Sequence, residues 1–248
     1  QHAGQDLRQA IMLSPRAPLA RYNLGVVLSA QGSDVAARDQ MQLAATLLHG
    51  QPLEADAWAR LGVILDRLAD YGGAIQARRH LVELQPGSSQ AHIELGLDLL
   101  ITGQLRAARA EFTSVARANP DDSTAYYDLA LVDDRLGNAN AAIADLRRQI
   151  SVNKGNNPAL IVDSRYLGML YGNQGRWSDA VAAFTQSVAL GSTTYEDFFG
   201  LGYSQTHTGD RASALTYLHE AYGVAKAGGQ TLQADSACRQ LKSLSETC

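Results

Sequence analysis

The chain has 248 residues, 46% of them hydrophobic and 6% aromatic, and a formal net charge of −4. That size and apolar fraction exclude a disordered chain, and a pI near 5.8 gives no overall electrostatic reason to bind nucleic acid or an anionic membrane. No apolar run approaches the roughly 18 residues that span a bilayer, and the opening QHAGQDLRQA has no charged flank leading into an apolar signal core. The expectation is a soluble chain without membrane insertion. The 3 lysines against 18 arginines fit a GC-rich bacterial genome, with cytoplasm and periplasm both open. Six prolines, few aromatics and abundant Ala, Leu, Gln and Arg suit helix, and no window alternates β-branched residues as a strand would.

Residues 1–17 carry Ala3, Leu7, Ala10 and Pro15 at the spacing of a helix closed by proline. From there the pair Leu-Gly recurs at Leu24-Gly25, Leu61-Gly62, Leu95-Gly96, Leu167-Gly168 and Leu201-Gly202, with Leu129-Ala130 in the remaining place. The intervals are 37, 34, 34, 38 and 34 residues. Each pair is followed by a turn residue, at Gly32, Ala69, Gly103, Gly137, Gly175 and Gly209. A small residue then stands at Ala37, Ala74, Ala108, Ala142, Ala180 and Ala214, always twelve after the Gly or Ala of the pair. A glycine within a helix costs roughly 1 kcal/mol relative to alanine. Its recurrence makes sense where two helices joined by a short turn approach closely, so each Gly and its later Ala is expected to mark a helix crossing.

This register resembles the tetratricopeptide repeat, W-x₂-L-G-x₂-Y, then A-x₃-F, then P. Residues 55–88 supply Trp58, Leu61, Gly62, Leu65, Ala74 and Pro86, and residues 89–122 supply Leu95, Gly96, Leu99, Gly103, Ala108, Phe112 and Pro120. Residues 161–194 supply Leu167, Gly168, Tyr171, Gly175, Trp177, Ala180 and Phe184, while 18–54, 123–160 and 195–228 keep the spacing with more degenerate residues. Residues 1–17 resemble the second helix of a partial unit. Residues 229–248, with Leu232, Ala234, Ala237, Leu241 and Leu244 in one apolar stripe, read as a capping helix. The segment QISVNKGNNPAL at 149–160 lacks the closing proline and adds about four residues, with Asn157-Pro158 as N-cap and first-turn proline of the next helix. Leu81, Val115 and Gln149 replace the usual small residue late in the second helix, which predicts wider spacing between neighbouring units.

The resemblance implies an all-α solenoid, a right-handed superhelix of antiparallel helix pairs whose first helices line a concave groove that takes an extended peptide or a partner's helix. Carried over by register, the groove-facing residues are Tyr22, Asn23 and Val26; Arg60, Val63 and Arg67; Ile93, Glu94 and Leu97; Tyr127, Asp128, Leu131 and Arg135; Arg165, Tyr166, Met169 and Asn173; Phe199, Tyr203 and His207. Tyr, Phe, Met and Arg are enriched where proteins bind. The alternative is that some, Tyr127 and Phe199 especially, pack between repeats. Neither the Lys/Asn clamp of the chaperone-tail repeats nor the asparagine ladder of the glycosyltransferase-linked repeats falls on the matching positions.

Catalytic patterns are weak. Gly200-Leu201-Gly202 lacks a third glycine and a preceding strand, and coincides with the repeat's own Leu-Gly. The six histidines have no H-E-x-x-H or cysteine-rich companion, so His92 and His207 read as packing or contact residues, and neither a metal nor a cofactor is expected. Asp121-Asp122 and Asp133-Asp134 read as solvated, and Arg78-Arg79 and Arg147-Arg148, on second helices, as convex-face solubility charges. Two cysteines build no disulfide framework. If Cys238 and Cys248 share one helix they stand about 15 Å apart, so a bridge needs the helix to fray, and Cys248 is otherwise open to pairing between chains.

The resulting reading is a non-enzymatic interaction scaffold that binds a peptide or protein segment. Charge reversal at Arg60, Arg135 or Arg165 should then weaken the partner without changing thermal stability. The alternatives are a self-assembling protein, homo-oligomeric through an uncapped N-terminal face of Leu7, Ala10 and Ile11, and the non-catalytic arm of a larger enzyme.

Overall fold

The computed structural model describes residues 2–121, 123–153, 155 and 157–248, which form fourteen α-helices and one 3₁₀ turn, with no strand among the described residues. The chain divides into two compact units, residues 1–120 and 121–248. The first contains α1 (His2–Leu13) and three hairpins: α2 (Pro18–Ala30) with α3 (Asp34–Leu47), α4 (Glu54–Arg67) with α5 (Tyr71–Leu84), and α6 (Ser89–Ile101) with α7 (Leu105–Ala118). The second opens on the 3₁₀ turn Ser123–Ala125. Its hairpins are α8 (Tyr126–Arg135) with α9 (Ala139–Val152), α10 (Asn157–Asn173) with α11 (Trp177–Ala189), and α12 (Tyr195–Thr208) with α13 (Arg211–Ala227), followed by α14 (Thr231–Ser243).

Local chemistry sets the helix ends. Pro18 opens α2, where its missing N–H is no loss, and the Asp70 and Asp210 carboxylates accept from the Gly73 and Ser213 amides at 2.9 and 3.1 Å. The six hairpin turns share one geometry. Gly32, Ala69, Gly103, Gly137, Gly175 and Gly209 all have positive φ. The next residue donates its N–H to a carbonyl five positions back, as Ser33 does to Leu28 at 2.9 Å and Gln104 to Leu99 at 2.7 Å. Ala69, at φ 54°, is the one member with a Cβ in this left-handed region. Ala69→Gly is therefore expected to raise stability by about 1 kcal/mol. Thermal unfolding checks this, and an unchanged or lowered midpoint contradicts it.

The helix glycines meet a large side chain in addition to the expected alanine. A Cβ on Gly25 would stand 2.9 Å from the Met41 methyl, one on Gly96 2.6 Å from the Phe112 ring, one on Gly168 2.8 Å from Phe184 and one on Gly202 2.9 Å from Leu218. In each case the side chain over the glycine comes from sixteen residues later. The alanine twelve later is close as well, its carbonyl oxygen 3.5 Å from that Cβ position at Gly25 (Ala37) and 3.1 Å at Gly202 (Ala214). For Gly62 the covering side chain is the stem of Arg78, 3.4 Å away.

In the first unit Leu24, Leu28, Met41, Leu48, Leu61 and Ile64 belong to one buried cluster, with Leu7 and Ile11 packed against it. The N-terminal helix thus turns Leu7 and Ile11 inward, against the expectation of an open face, and its exposed apolar residues are Met12 (76%) and Leu13 (83%). The side chain of Ala3 lies outside the described residues. In the second unit Leu146, Leu170, Phe184 and Leu201 belong to a buried cluster, and Phe184 faces both Gly168 and Gly200. Leu81, Val115 and Gln149 are all buried. α10 opens at Asn157 itself, with Pro158 in its first turn.

α14 buries Ala234, Ala237 and Leu241, but Leu232 is 81% exposed and is not part of the packed stripe. The cysteines correct the distance argument. α14 ends at Ser243, the chain turns at Ser245, and Cys248 returns to form a disulfide with Cys238 at a Cα separation of 5.4 Å. The turn, rather than fraying of the helix, closes the gap.

Candidate functional site

In the first unit the first helices α2 and α4, with Glu94 of α6, line an open cavity of about 450 Å³. Val26, Ala30, Val63 and Ile64 give it an apolar surface, and Arg60, Arg67 and Glu94 supply charge. Val63 is 44% exposed there, and Leu97 on α6 is 38% exposed.

The arginines are not free. Arg60 Nε donates to Asp56 at 2.6 Å and to the Tyr22 hydroxyl at 2.9 Å, while that hydroxyl donates to Asp56. Burial first, and then the hydrogen bond to Asp56, push the Tyr22 hydroxyl above its ordinary range. Arg67 forks onto Asp34, with Nη2 at 2.6 Å and Nε at 3.1 Å, and its hydrogen bonds hold the Asp34 carboxyl below the usual range. Asn23 is exposed, and Ile93 and Glu94 are half-buried.

Arg78 alone among the doublet arginines departs from the reading as a surface charge. It is 4% exposed, and its guanidinium meets Asp66 of α4 together with Glu94 and Asp98 of α6. Burial opposes its charge, yet the hydrogen bonds and charges of Asp66 and Asp98 raise its affinity for the proton above the ordinary arginine value. Asp98, buried with a second carboxylate nearby, is pushed up to about 6 despite Arg78. Arg79, Arg147 and Arg148 are exposed, and Arg148 pairs with Asp121 at 3.0 Å.

In the second unit α8, α10 and α12 present rings and carboxylates. Tyr127 and Tyr166 tilt together at 6.0 Å, and the Tyr166 hydroxyl donates to Asp134 at 2.8 Å. Asp133 is fully buried and accepts from the Asn138 amide at 2.9 Å, so this acidic pair is structural rather than solvated. Asp121 is exposed, and Asp122 lies outside the described residues. Burial pushes Asp128 up to about 6, and Asp163 likewise, although the neighbouring Gln149 and Asn153 amides pull the latter back. Leu131 is half-buried, and Arg135, Met169 and Asn173 are exposed. Along α12, Tyr195 stacks on Phe199 at 5.2 Å and Phe199 on Tyr203 at 5.9 Å, and Tyr203 meets His207 edge-on at 4.8 Å. Trp177 of α11 stacks on His207 at 4.0 Å.

Arg165 also departs from expectation. Its guanidinium binds the fully buried Asp197 at 2.5 Å and the Thr194 hydroxyl at 2.9 Å. Burial raises the Asp197 pKa, but hydrogen bonds from Arg165 and Ser192 outweigh it and hold the carboxyl below its ordinary range. Reversing Arg165 would strand a buried carboxylate, and reversing Arg60 would break its Asp56 and Tyr22 contacts. The Arg165 substitution therefore costs stability, whereas the exposed Arg60–Asp56 pair carries little.

Sequence register missed Asp56, Asp34, Tyr195 and Trp177 as members of these faces. Asp56 lies one turn before Arg60, and Tyr195 one turn before Phe199, so helical spacing was the available signal. His92 Nδ1 lies 2.6 Å from Glu111 and Nε2 lies 3.0 Å from the Pro86 carbonyl, a contact role within the first unit. Among the described residues no group of three or more His, Cys, Asp or Glu is placed to hold a metal, and no helix is long and apolar enough to cross a membrane.

Three raised carboxyls make stability depend on pH. Asp98, Asp128 and Asp163 titrate near 6 when folded against an ordinary 3.8, so between these values the folded chain holds protons that the unfolded chain has lost. Stability therefore falls as pH rises through that window, by on the order of 1 kcal/mol each for the well-buried Asp98 and Asp163 between pH 5 and 7. Denaturant unfolding at the two pH values checks the sign, and equal or greater stability at pH 7 contradicts it.

These hairpins, five of them with a second-helix side chain over a glycine of the first helix, define an all-α helical-hairpin repeat protein. Profiles of the tetratricopeptide repeat match residues 93–154, 167–230 and 55–88, so the chain belongs to the tetratricopeptide repeat family. Among curated proteins, the chain is 40% identical over 63 residues to DnaJ homolog subfamily C member 3 of Rattus norvegicus. That stretch is 25% of this chain and 12% of the relative, so the similarity concerns a small part of the longer protein. Among solved structures it resembles a MamA protein (TM-score 0.63, 19% identity, 71% of this chain and 94% of that one). It also resembles pilF of Pseudomonas aeruginosa (0.62, 15%, 89% and 96%) and a tetratricopeptide repeat protein of Parabacteroides merdae (0.62, 15%, 98% and 94%). These likenesses show the fold.

Proposed function

We propose that this chain is a non-enzymatic protein-interaction scaffold that binds a peptide or protein segment along the faces of its first helices. Repeat arrays of this kind use extended surfaces for binding. The observation that carries the reading is the open cavity of about 450 Å³ in the first unit, where Val63 stays 44% exposed beside charged groups already held in place by Asp34 and Asp56. Apolar contact area with fixed polar groups around it is the arrangement that anchors a partner. In the second unit the face made by Tyr127, Tyr166, Met169, Phe199, Tyr203 and His207 has the same character, with Met169 49% exposed.

Because Arg165 holds the buried Asp197 and Arg60 and Arg67 are already paired, the informative substitutions are at exposed apolar residues. Val63→Glu and Met169→Glu should leave thermal stability within about 0.5 kcal/mol. Affinity capture from the source organism should recover a partner with the wild-type chain and lose it with at least one variant. Recovery of the same partner, at equal yield, by both variants contradicts binding on these faces.

A further inference from the structure

In each complete hairpin the small residue of the first helix stands seven positions before the positive-φ turn residue, as Gly25 does before Gly32, Gly96 before Gly103 and Gly202 before Gly209. α14 keeps the same register. Cys238 stands seven before Ser245, whose φ is 59°. It is also seven after the start of its helix at Thr231, as Gly202 is after Tyr195 and Gly96 after Ser89. The turn bond is repeated too: the Glu246 N–H donates to the Leu241 carbonyl at 3.0 Å, as Asp210 does to Gln205 at 3.1 Å and Gln104 to Leu99 at 2.7 Å. Residues 231–246 therefore have the form of a first helix and its turn, with a half-cystine in the glycine's place.

In the complete hairpins the space over that glycine is filled from the second helix, by Met41, Phe112 or Leu218. On α14 it is Cys248 that joins Cys238, only ten residues on. The returning segment is further tied down by Arg211 of α13, whose guanidinium donates to the Leu244 carbonyl.

We propose that the Cys238–Cys248 disulfide is a redox latch, closing over the α14 position on which a second helix packs in the other hairpins. Opening takes two electrons and two protons from a dithiol: the S–S bond breaks, both cysteines become thiols, and the dithiol closes to its own cyclic disulfide. The latch is closed in an oxidising compartment and open in a reducing one.

Hydrogen exchange of the folded protein, with and without dithiothreitol, tests this. After reduction the Leu244, Ser245 and Glu246 amides should exchange about tenfold faster or more, while the Gly103 and Gln104 amides, in the same turn without cysteines, stay unchanged. Cys248→Ser should exchange at the reduced rate whether or not dithiothreitol is present. Equal exchange at 244–246 in oxidised and reduced wild-type protein overturns the proposal. So does full alkylation of both thiols in protein kept under oxidising conditions, and either reading stands even if the variant folds poorly.

Discussion

Arg78→Ala should lose roughly 3–5 kcal/mol of unfolding free energy, the cost of removing one partner from a buried ionic cluster. The guanidinium pairs with Asp66, Glu94 and Asp98 together, and Asp98 is itself only 4% exposed. With Arg78 gone the Asp98 carboxyl keeps its burial penalty without the attraction, so its pKa rises beyond about 6. The variant's deficit is therefore larger at pH 7 than at pH 5. Replacing the pair together, as Arg78→Met with Asp98→Leu, removes charge and counter-charge and should recover most of the loss. Urea unfolding of the single and double variants measures both effects. A loss under about 1 kcal/mol for Arg78→Ala would show the cluster to be solvated.

The second large effect is expected at Phe184, which is 4% exposed and faces glycines on two different helices, Gly168 of α10 and Gly200 of α12. Phe184→Ala should cost roughly 3–5 kcal/mol, since a ring lodged between backbones leaves a space the helices fill poorly. From the opposite side, a Cβ on Gly168 would lie 2.8 Å from the ring, so Gly168→Ala should cost about 1–3 kcal/mol through overpacking. The two substitutions share one contact, so their effects should not add, and the double variant should be more stable than the sum of the singles implies. Strict additivity in denaturant unfolding contradicts the shared slot.

The hairpins were legible because their signals are local. Leu-Gly, the turn residue seven positions on and the alanine twelve on all fall within one hairpin, and the six turn residues, five of them glycine, adopt positive φ. Gly and Ala mark the crossing, but the side chain that fills the space over the glycine was not legible from their size alone. The structure places a large side chain there: Phe112 covers Gly96, and in this family's pattern that position is the aromatic of A-x₃-F.

The charged contacts were not legible. Arg78 looks like a surface cation on its own helix, and its burial depends on Asp66, Glu94 and Asp98, contributed by α4 and α6. Arg165 and Asp197 are 32 residues apart, in neighbouring repeats, and only stacking of neighbouring hairpins brings them together. The disulfide was hidden for a simpler reason. Its turn uses Ser245 where the other turns use glycine or, at Ala69, alanine, so the residue type gave no warning and only the seven-residue register did.

The geometry on which both proposed faces rest is a second-helix side chain lying over a small residue of the first helix. The most direct measurement uses the three methionines, Met12, Met41 and Met169, whose labelled methyls give three resolvable signals. In a nuclear Overhauser spectrum the Met41 methyl should show a strong cross-peak to the Gly25 α-protons, since a Cβ on Gly25 would stand 2.9 Å from it. A Met41 methyl with no Gly25 cross-peak, in a spectrum where its contacts to other core residues are plain, would contradict the account.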